Sequence, residues 1–254
     1  MSVLEEQGLE KIRSLANSGD LTSAREAAEL LLDRAAGDGG VLQKTAVLLH
    51  EIGEVDRARS LLESAQLMVP LTAEAELTLA ETYVTEGQES LALTLLSNVG
   101  IRPDSTCELR LRAARLLDQT GHVRSAWCVA RKAVNETPDE AQAWFDLSIY
   151  MRGLRFPFHQ FEAAARRAIF LAPDDVNFRV SLACVLARCG RDDDAHQLVR
   201  SFGPQELQQV CCAACLENLK EVFEAAGDWR GSCLASEQLL AHSLKDSGDD
   251  CDEI

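Results

Sequence analysis

Gly19, Gly53, Gly87 and Gly121 recur every 34 residues, and a fixed period of that length restricts a chain to stacked copies of one supersecondary unit. Gly190 lies 69 residues after Gly121, two periods plus one residue, and Gly227 follows 37 later. Two further columns keep step with the glycines. Five residues after each stands a small residue: Ala24, Ala58, Ala92, Ala126, Ala195 and Ser232. Four residues before each stands a large apolar one: Leu15, Leu49, Tyr83, Leu117, Leu186 and Phe223.

Each column has a physical reason. Upstream of each glycine the apolar residues follow a helical period, as in AEAELTLAETYVTEG, where Leu79, Ala80 and Tyr83 share a face. The glycine ends that helix in a left-handed conformation that costs other residues more. A second amphipathic helix follows, and its small residue lets the two helices of the hairpin approach closely. Pro70, Pro103, Pro138 and Pro173 fall near the ends of units, where a helix cannot continue through them. Alanine and leucine dominate the apolar residues, and few runs alternate as a strand requires. The expected fold is all-α.

These hairpins resemble tetratricopeptide repeats. The unit from Ala73 shows Leu79-Ala80, Tyr83, Gly87 and Ala92, and the unit from Ala141 shows Trp144, Leu147-Ser148, Ala168 and Pro173. The unit from Val176 shows Leu182-Ala183, Leu186, Gly190 and Ala195. The resemblance covers roughly residues 5–241 and implies a right-handed superhelical solenoid of about seven antiparallel hairpins. The expected units are 5–38, 39–72, 73–106, 107–140, 141–175, 176–204 and 205–244, in one domain over 1–244. An acidic tail, 245–254, is expected to be disordered.

Three departures stand out. The unit at 141–172 lacks its glycine and carries one inserted residue in Gly153-Leu154-Arg155-Phe156-Pro157-Phe158, with Phe161 at the small position and Ala165 four residues later. The first hairpin has Gly8 and Lys11 where bulky residues are expected, as end units of a solenoid often do. The last unit is expected to open with a long first helix and to have its outer face shielded by Trp229.

The chain carries a net charge of −16, unevenly spread: −10 over residues 1–100, +2 over 101–200 and −8 over 201–254. A field of that sign repels phosphate backbones, so no nucleic acid is expected as a partner. The acidic N-terminus holds no signal-peptide core, and the longest apolar run, Val210 to Leu216, is far short of a membrane span. With nine cysteines at irregular spacing, the expectation is a cytoplasmic protein with reduced thiols. Cys184, Cys189, Cys211, Cys212 and Cys215 cluster late, without a histidine or a second CxxC at zinc-ligand spacing, so they read as small hydrophobes in packing and no metal is expected. The histidines, His50, His122, His159, His196 and His242, are scattered over different units. There is no glycine-rich phosphate loop, so neither a cofactor nor catalysis is expected.

The resemblance implies a concave groove, lined by the first helices, that holds a partner peptide or helix. Counting back from each turn selects Leu77, Glu81, Leu111, Arg115, Asp118, Gln119, Phe145, Ile149, Arg152, Val180, Cys184 and Arg188. An apolar floor with Arg115, Arg152 and Arg188 along it suits a segment with apolar anchors and carboxylates. Phe156 and Phe158 form either an exposed apolar loop or a plug for the missing glycine turn. Repeats that hold chaperone tails resemble one another in placing Lys and Asn ten and six residues before the glycine. Here the pairs are Leu9/Arg13, Gln43/Val47, Leu77/Glu81 and Leu111/Arg115, so that specialisation is absent. The expected function is a non-catalytic interaction scaffold or adaptor. The alternatives are a peptide-sensing regulatory subunit and a self-assembling or accessory subunit of a larger complex.

Overall fold

The computed structural model describes residues 3–35 and 37–246. Among these residues every regular element is a helix, and the helices fall into two compact units, Met1–Thr137 and Pro138–Ile254.

The first unit holds four hairpins: α1 (Val3–Asn17) with α2 (Leu21–Arg34), α3 (Gly39–Glu51) with α4 (Val55–Gln66), α5 (Ala73–Thr85) with α6 (Glu89–Ile101), and α7 (Cys107–Gln119) with α8 (Val123–Glu136). Successive first helices touch: α1 meets α3, α3 meets α5 and α5 meets α7. The second unit holds α9 (Ala141–Gly153) with α10 (Phe158–Leu171), α11 (Val176–Arg188) with α12 (Asp192–Val199), and α14 (Ala213–Ala225) with α15 (Trp229–Asp246). A short helix, α13 (Pro204–Gln208), precedes α14 and packs on α15.

The glycine column is a turn device. Gly19, Gly53, Gly87, Gly121, Gly190 and Gly227 all have φ between 70° and 89°. The residue after each donates its amide across the turn to the carbonyl five residues back, from Asp20 to Leu15 (3.1 Å) through Asp228 to Phe223 (2.8 Å). These bonds satisfy carbonyls that a helix end would leave open. The hairpin that lacks the glycine makes the same turn with Arg155, whose φ of 58° is the one positive value on a non-glycine residue among those described. Phe156 then donates to Met151 at 3.0 Å. Arg155 stands 34 residues after Gly121, so the period is intact and the inserted residue falls after the turn.

The small column does what its size allows. Ala24, Ala58, Ala92, Ala126 and Ala195 are at most 1% exposed. In the last hairpin the close approach moves by one residue: Ser232 is half-buried, whereas Gly231 is buried against Phe223. A Cβ on Gly231 would lie 2.4 Å from Phe223 Cδ1.

Helix starts repeat as well. Asp38, Thr72, Thr106, Glu140 and Asp175, spaced 34, 34, 34 and 35 apart, are the N-caps of α3, α5, α7, α9 and α11. The side chain of each accepts a first-turn amide, for example Ala75 N to Thr72 Oγ1 at 3.3 Å. In the second unit Trp144 Nε1 donates to Pro138 O at 2.8 Å, which joins the bulky position of the repeat to its proline.

Other expectations change. The last unit's first helix is two pieces, α13 and α14, because residues 209–212 leave the helical path between them. Trp229 does not shield the end of the stack; it is 78% exposed. Gly8 faces Leu31, and a Cβ there would come within 2.9 Å of Leu31 Cδ1. Helix α15 runs through residues 245 and 246, and the remainder of the expected tail, 247–254, lies outside the described residues.

Candidate functional site

Each unit carries a cleft on its first helices. In the first unit it measures about 540 Å³ and lies between α1, α3 and the N-terminal ends of α5 and α7. Leu9, Val47, Leu48 and Leu109 supply its apolar surface, Glu6, Glu10, Glu74 and Asp104 its carboxylates, and Arg13 and Lys44 its cations. Acids therefore outnumber bases on this wall.

None of Leu77, Glu81, Leu111, Arg115 and Gln119 lines that cleft. Leu77 (0% exposed) and Leu111 (5%) are core residues, whereas Leu9 and Val180, also ten before their turns, line clefts. Glu81 is half-buried and held by the fold: Arg112 Nη2 donates to it at 2.7 Å, and His50 Nδ1 lies 3.9 Å away. Arg115 is exposed but bends back, its Nε donating to Leu111 O at 3.3 Å. Asp118 is half-buried and Gln119 exposed.

The second unit's cleft measures about 300 Å³ and runs between the C-terminal end of α9, α11, and the segment leading into α14. Here four of the expected residues meet: Arg152, Val180, Cys184 and Arg188. Val180 and Cys184 are 3% and 6% exposed and form its floor with Val185 and Val210; Arg152 and Arg188 are exposed on its rim. Cys211, Cys212 and Cys215 close the remaining side. Ile149 lies beside Arg152 at a separate hollow of about 10 Å³, capped by Phe161. Phe145 is half-buried and stacks on Phe178 with ring centroids 4.5 Å apart, so it braces α9 against α11.

Phe156 and Phe158 are half-buried rather than a free apolar loop. Phe158 opens α10, meets the Phe161 ring edge-on at 4.9 Å, packs on the second unit's core and carries the Arg191 guanidinium over its face at 5.3 Å.

Four arginines of this unit are engaged by the fold. Arg166 and Arg191 pair with Glu162, Arg167 faces Asp139 at 3.6 Å, and Arg179 donates to Leu198 O and Ser201 Oγ. Arg191 ties the start of α12 to α10 and Arg179 ties α11 to α12, whereas the Arg166 pair lies within α10. Arg152 and Arg188 have no carboxylate within ion-pairing distance among the described residues. A cation on an apolar cleft with no internal partner is what an anionic ligand group requires.

Sequence reasoning missed two features. One is the first unit's cleft, although Leu9, Arg13 and Val47 stand at the same counted-back positions as the residues expected in the middle units. The other is Arg110, which is 2% exposed and donates through Nε and Nη2 to the carbonyls of Gly100 (3.3 Å) and Arg102 (2.8 Å) while pairing with Glu136. Nothing in spacing marks that arginine as buried.

Among the described residues no group of three or more His, Cys, Asp and Glu is arranged to hold a metal ion. No described helix is long and apolar enough to cross a membrane.

No family model matches this sequence, and no curated protein matches it. Solved structures do. The chain is similar to the C-terminal part of a TPR repeat-containing protein from Cytophaga hutchinsonii, at 14% identity and a TM-score of 0.65, over 96% of this chain and 100% of that one. It is similar to a tetratricopeptide repeat protein from Parabacteroides merdae, at 16% identity and a TM-score of 0.61, over 94% of this chain and 93% of that one. A third likeness is to YrrB, described as a TPR protein with an unusual peptide-binding site, at 15% identity and a TM-score of 0.53, over 67% of this chain and 88% of that one. Hairpins in one register, turned at a left-handed residue and stacked through their first helices, together with these likenesses, show that the chain has the tetratricopeptide-repeat fold.

Proposed function

We propose that this chain is a non-catalytic interaction scaffold that holds an extended partner segment, with apolar anchors and carboxylates, in the cleft of its second unit. The observation that carries this reading is the pair of rim arginines, Arg152 and Arg188, over a floor of Val180, Val185 and Val210. Apolar side chains of the segment would bury on that floor, and its carboxylates would pair with the guanidinium groups, which suit bidentate recognition. The likeness to YrrB supports a peptide as the ligand class. The first unit's cleft, with its excess of acids, would not compete for the same segment.

The test is selection of a displayed library of random peptides on the full chain. The reading expects enriched peptides that combine Asp or Glu with Leu, Ile, Val or Phe, and whose binding weakens as salt rises. Enrichment of basic peptides, or of none, would overturn it.

A further inference from the structure

Residues 212–215 read Cys-Ala-Ala-Cys and form the entry to α14. Cys212 is the N-cap, and its carbonyl accepts the amide of Cys215 at 3.0 Å, which closes the first turn. Residues three apart on a helix share a face, and both side chains line the second unit's cleft. Cys184 of α11 lines the same cleft. The three are unbridged and graded in burial: Cys212 exposed, Cys215 half-buried, Cys184 buried.

We propose that Cys212 and Cys215 are a reversible redox site, at which a hydroperoxide oxidises the dithiol to a Cys212–Cys215 disulfide. Cys212 is the attacking sulfur. Its thiolate takes the terminal oxygen of the hydroperoxide: an S–O bond forms, the O–O bond breaks, and the departing oxygen takes up a proton as water or an alcohol. Cys215 then gives up its thiol proton and attacks the sulfenic sulfur; the S–S bond forms, the S–O bond breaks, and hydroxide leaves with that proton as water. Two thiols are oxidised by two electrons in total, one peroxide is reduced, and a dithiol reductant reverses the change.

The surroundings divide the roles. The amide of Cys215, its thiol and the amide of Ala214 hold the Cys212 thiol below its ordinary pKa, although no full side-chain cap bond is closed. A helix N-terminus favours a thiolate in this way. Burial, together with the Cys212 sulfur, raises Cys215 and so keeps the resolving thiol protonated until it is needed, while the Cys184 thiol and the Arg188 charge ease its ionisation. Burial and the neighbouring Cys215 push Cys184 up to about 12, which makes it a spectator that supports Cys215. The site stands whether or not the cleft beside it binds a peptide.

The test uses the full reduced chain, hydrogen peroxide and peptide mapping of the fragment 201–220. Before oxidation, Cys212 should be alkylated at neutral pH at least about threefold faster than Cys128 and Cys189, which are also exposed. After oxidation the fragment should lose two hydrogen atoms, and dithiothreitol should restore them. In Cys215→Ser, dimedone should trap a sulfenic acid on Cys212; in Cys212→Ser neither product should form; in Cys211→Ser the disulfide should persist. Alkylation of Cys212 no faster than of Cys128, or loss of the disulfide in Cys211→Ser, would overturn the proposal. The alkylation rates are read on the unaltered chain, so the outcome does not depend on how well a variant folds.

Discussion

Phe156 donates its amide to Met151 at 3.0 Å, the bond that Asp20 makes to Leu15 and His122 to Leu117 in hairpins turned by glycine. The turn between α9 and α10 is therefore the same device built with the wrong residue. Arg155 holds φ at 58°, a conformation that costs a residue with a Cβ about 1–2 kcal/mol. Part of that is offset because glycine loses more freedom on folding. Arg155→Gly should stabilise the chain by about 1 kcal/mol and raise Tm by about 3 °C. A lower Tm in calorimetry would contradict the assignment of this turn.

Gly231 sits inside a helix, where alanine is ordinarily preferred by about 1 kcal/mol. Here the sign reverses. The added Cβ would lie 2.4 Å from Phe223 Cδ1, and Phe223 is 1% exposed with no space to retreat. Gly231→Ala should destabilise by about 1–3 kcal/mol, and Ser232→Ala, at the neighbouring half-buried position, should change little. Denaturant unfolding of the two variants checks the one-residue shift directly.

Asp228 receives the Gly231 amide at 3.0 Å and lies 3.1 Å from His196 Nε2. The Gly231 amide first, and then His196, hold its carboxyl below the ordinary range. A depressed carboxylate stabilises the fold fully above its unfolded value, about 4, and that contribution is lost as pH falls through the folded value. The stability gap between the parent and Asp228→Asn should therefore be widest above pH ~5 and close towards pH ~2. A gap that widens on acidification would show that the sign is wrong.

Trp229 is 78% exposed, although a terminal tryptophan is the natural candidate for a cap. Trp229→Ser should cost no more than about 0.5 kcal/mol. A loss of several times that in thermal or denaturant unfolding would show that the ring is buried in solution.

Most of the architecture was legible because it rests on features that act locally. A left-handed turn selects glycine, a close helix contact selects alanine, and both repeat with the unit, so six of the seven turns stand out in the sequence. The N-caps Asp38, Thr72, Thr106, Glu140 and Asp175 keep the same period and could have been read too; variation of residue type hid them. The Arg155 turn was hidden because the conformation there is imposed by the hairpin rather than chosen by the residue. The groove was less legible. Positions counted back from the turn fix the height of a residue along a helix, but whether it faces solvent depends on how closely the next hairpin packs. Leu77 and Leu111 were taken into the core for that reason, while Arg152 and Arg188, nearer the helix ends, stayed on a rim. The Cys212–Cys215 pair was visible as spacing, but its relation to a helix start was not, since the break between α13 and α14 has no marked signal in the sequence.

The arginine-rimmed cleft of the second unit is proposed to grip a polypeptide. The direct measurement is calorimetric affinity of a peptide selected on the parent chain for that chain and for the Arg152→Glu/Arg188→Glu variant, with circular dichroism to show that the variant keeps its helices. Two reversed charges beside a bound carboxylate should weaken binding by at least about tenfold. Equal affinity in a folded variant would contradict the account.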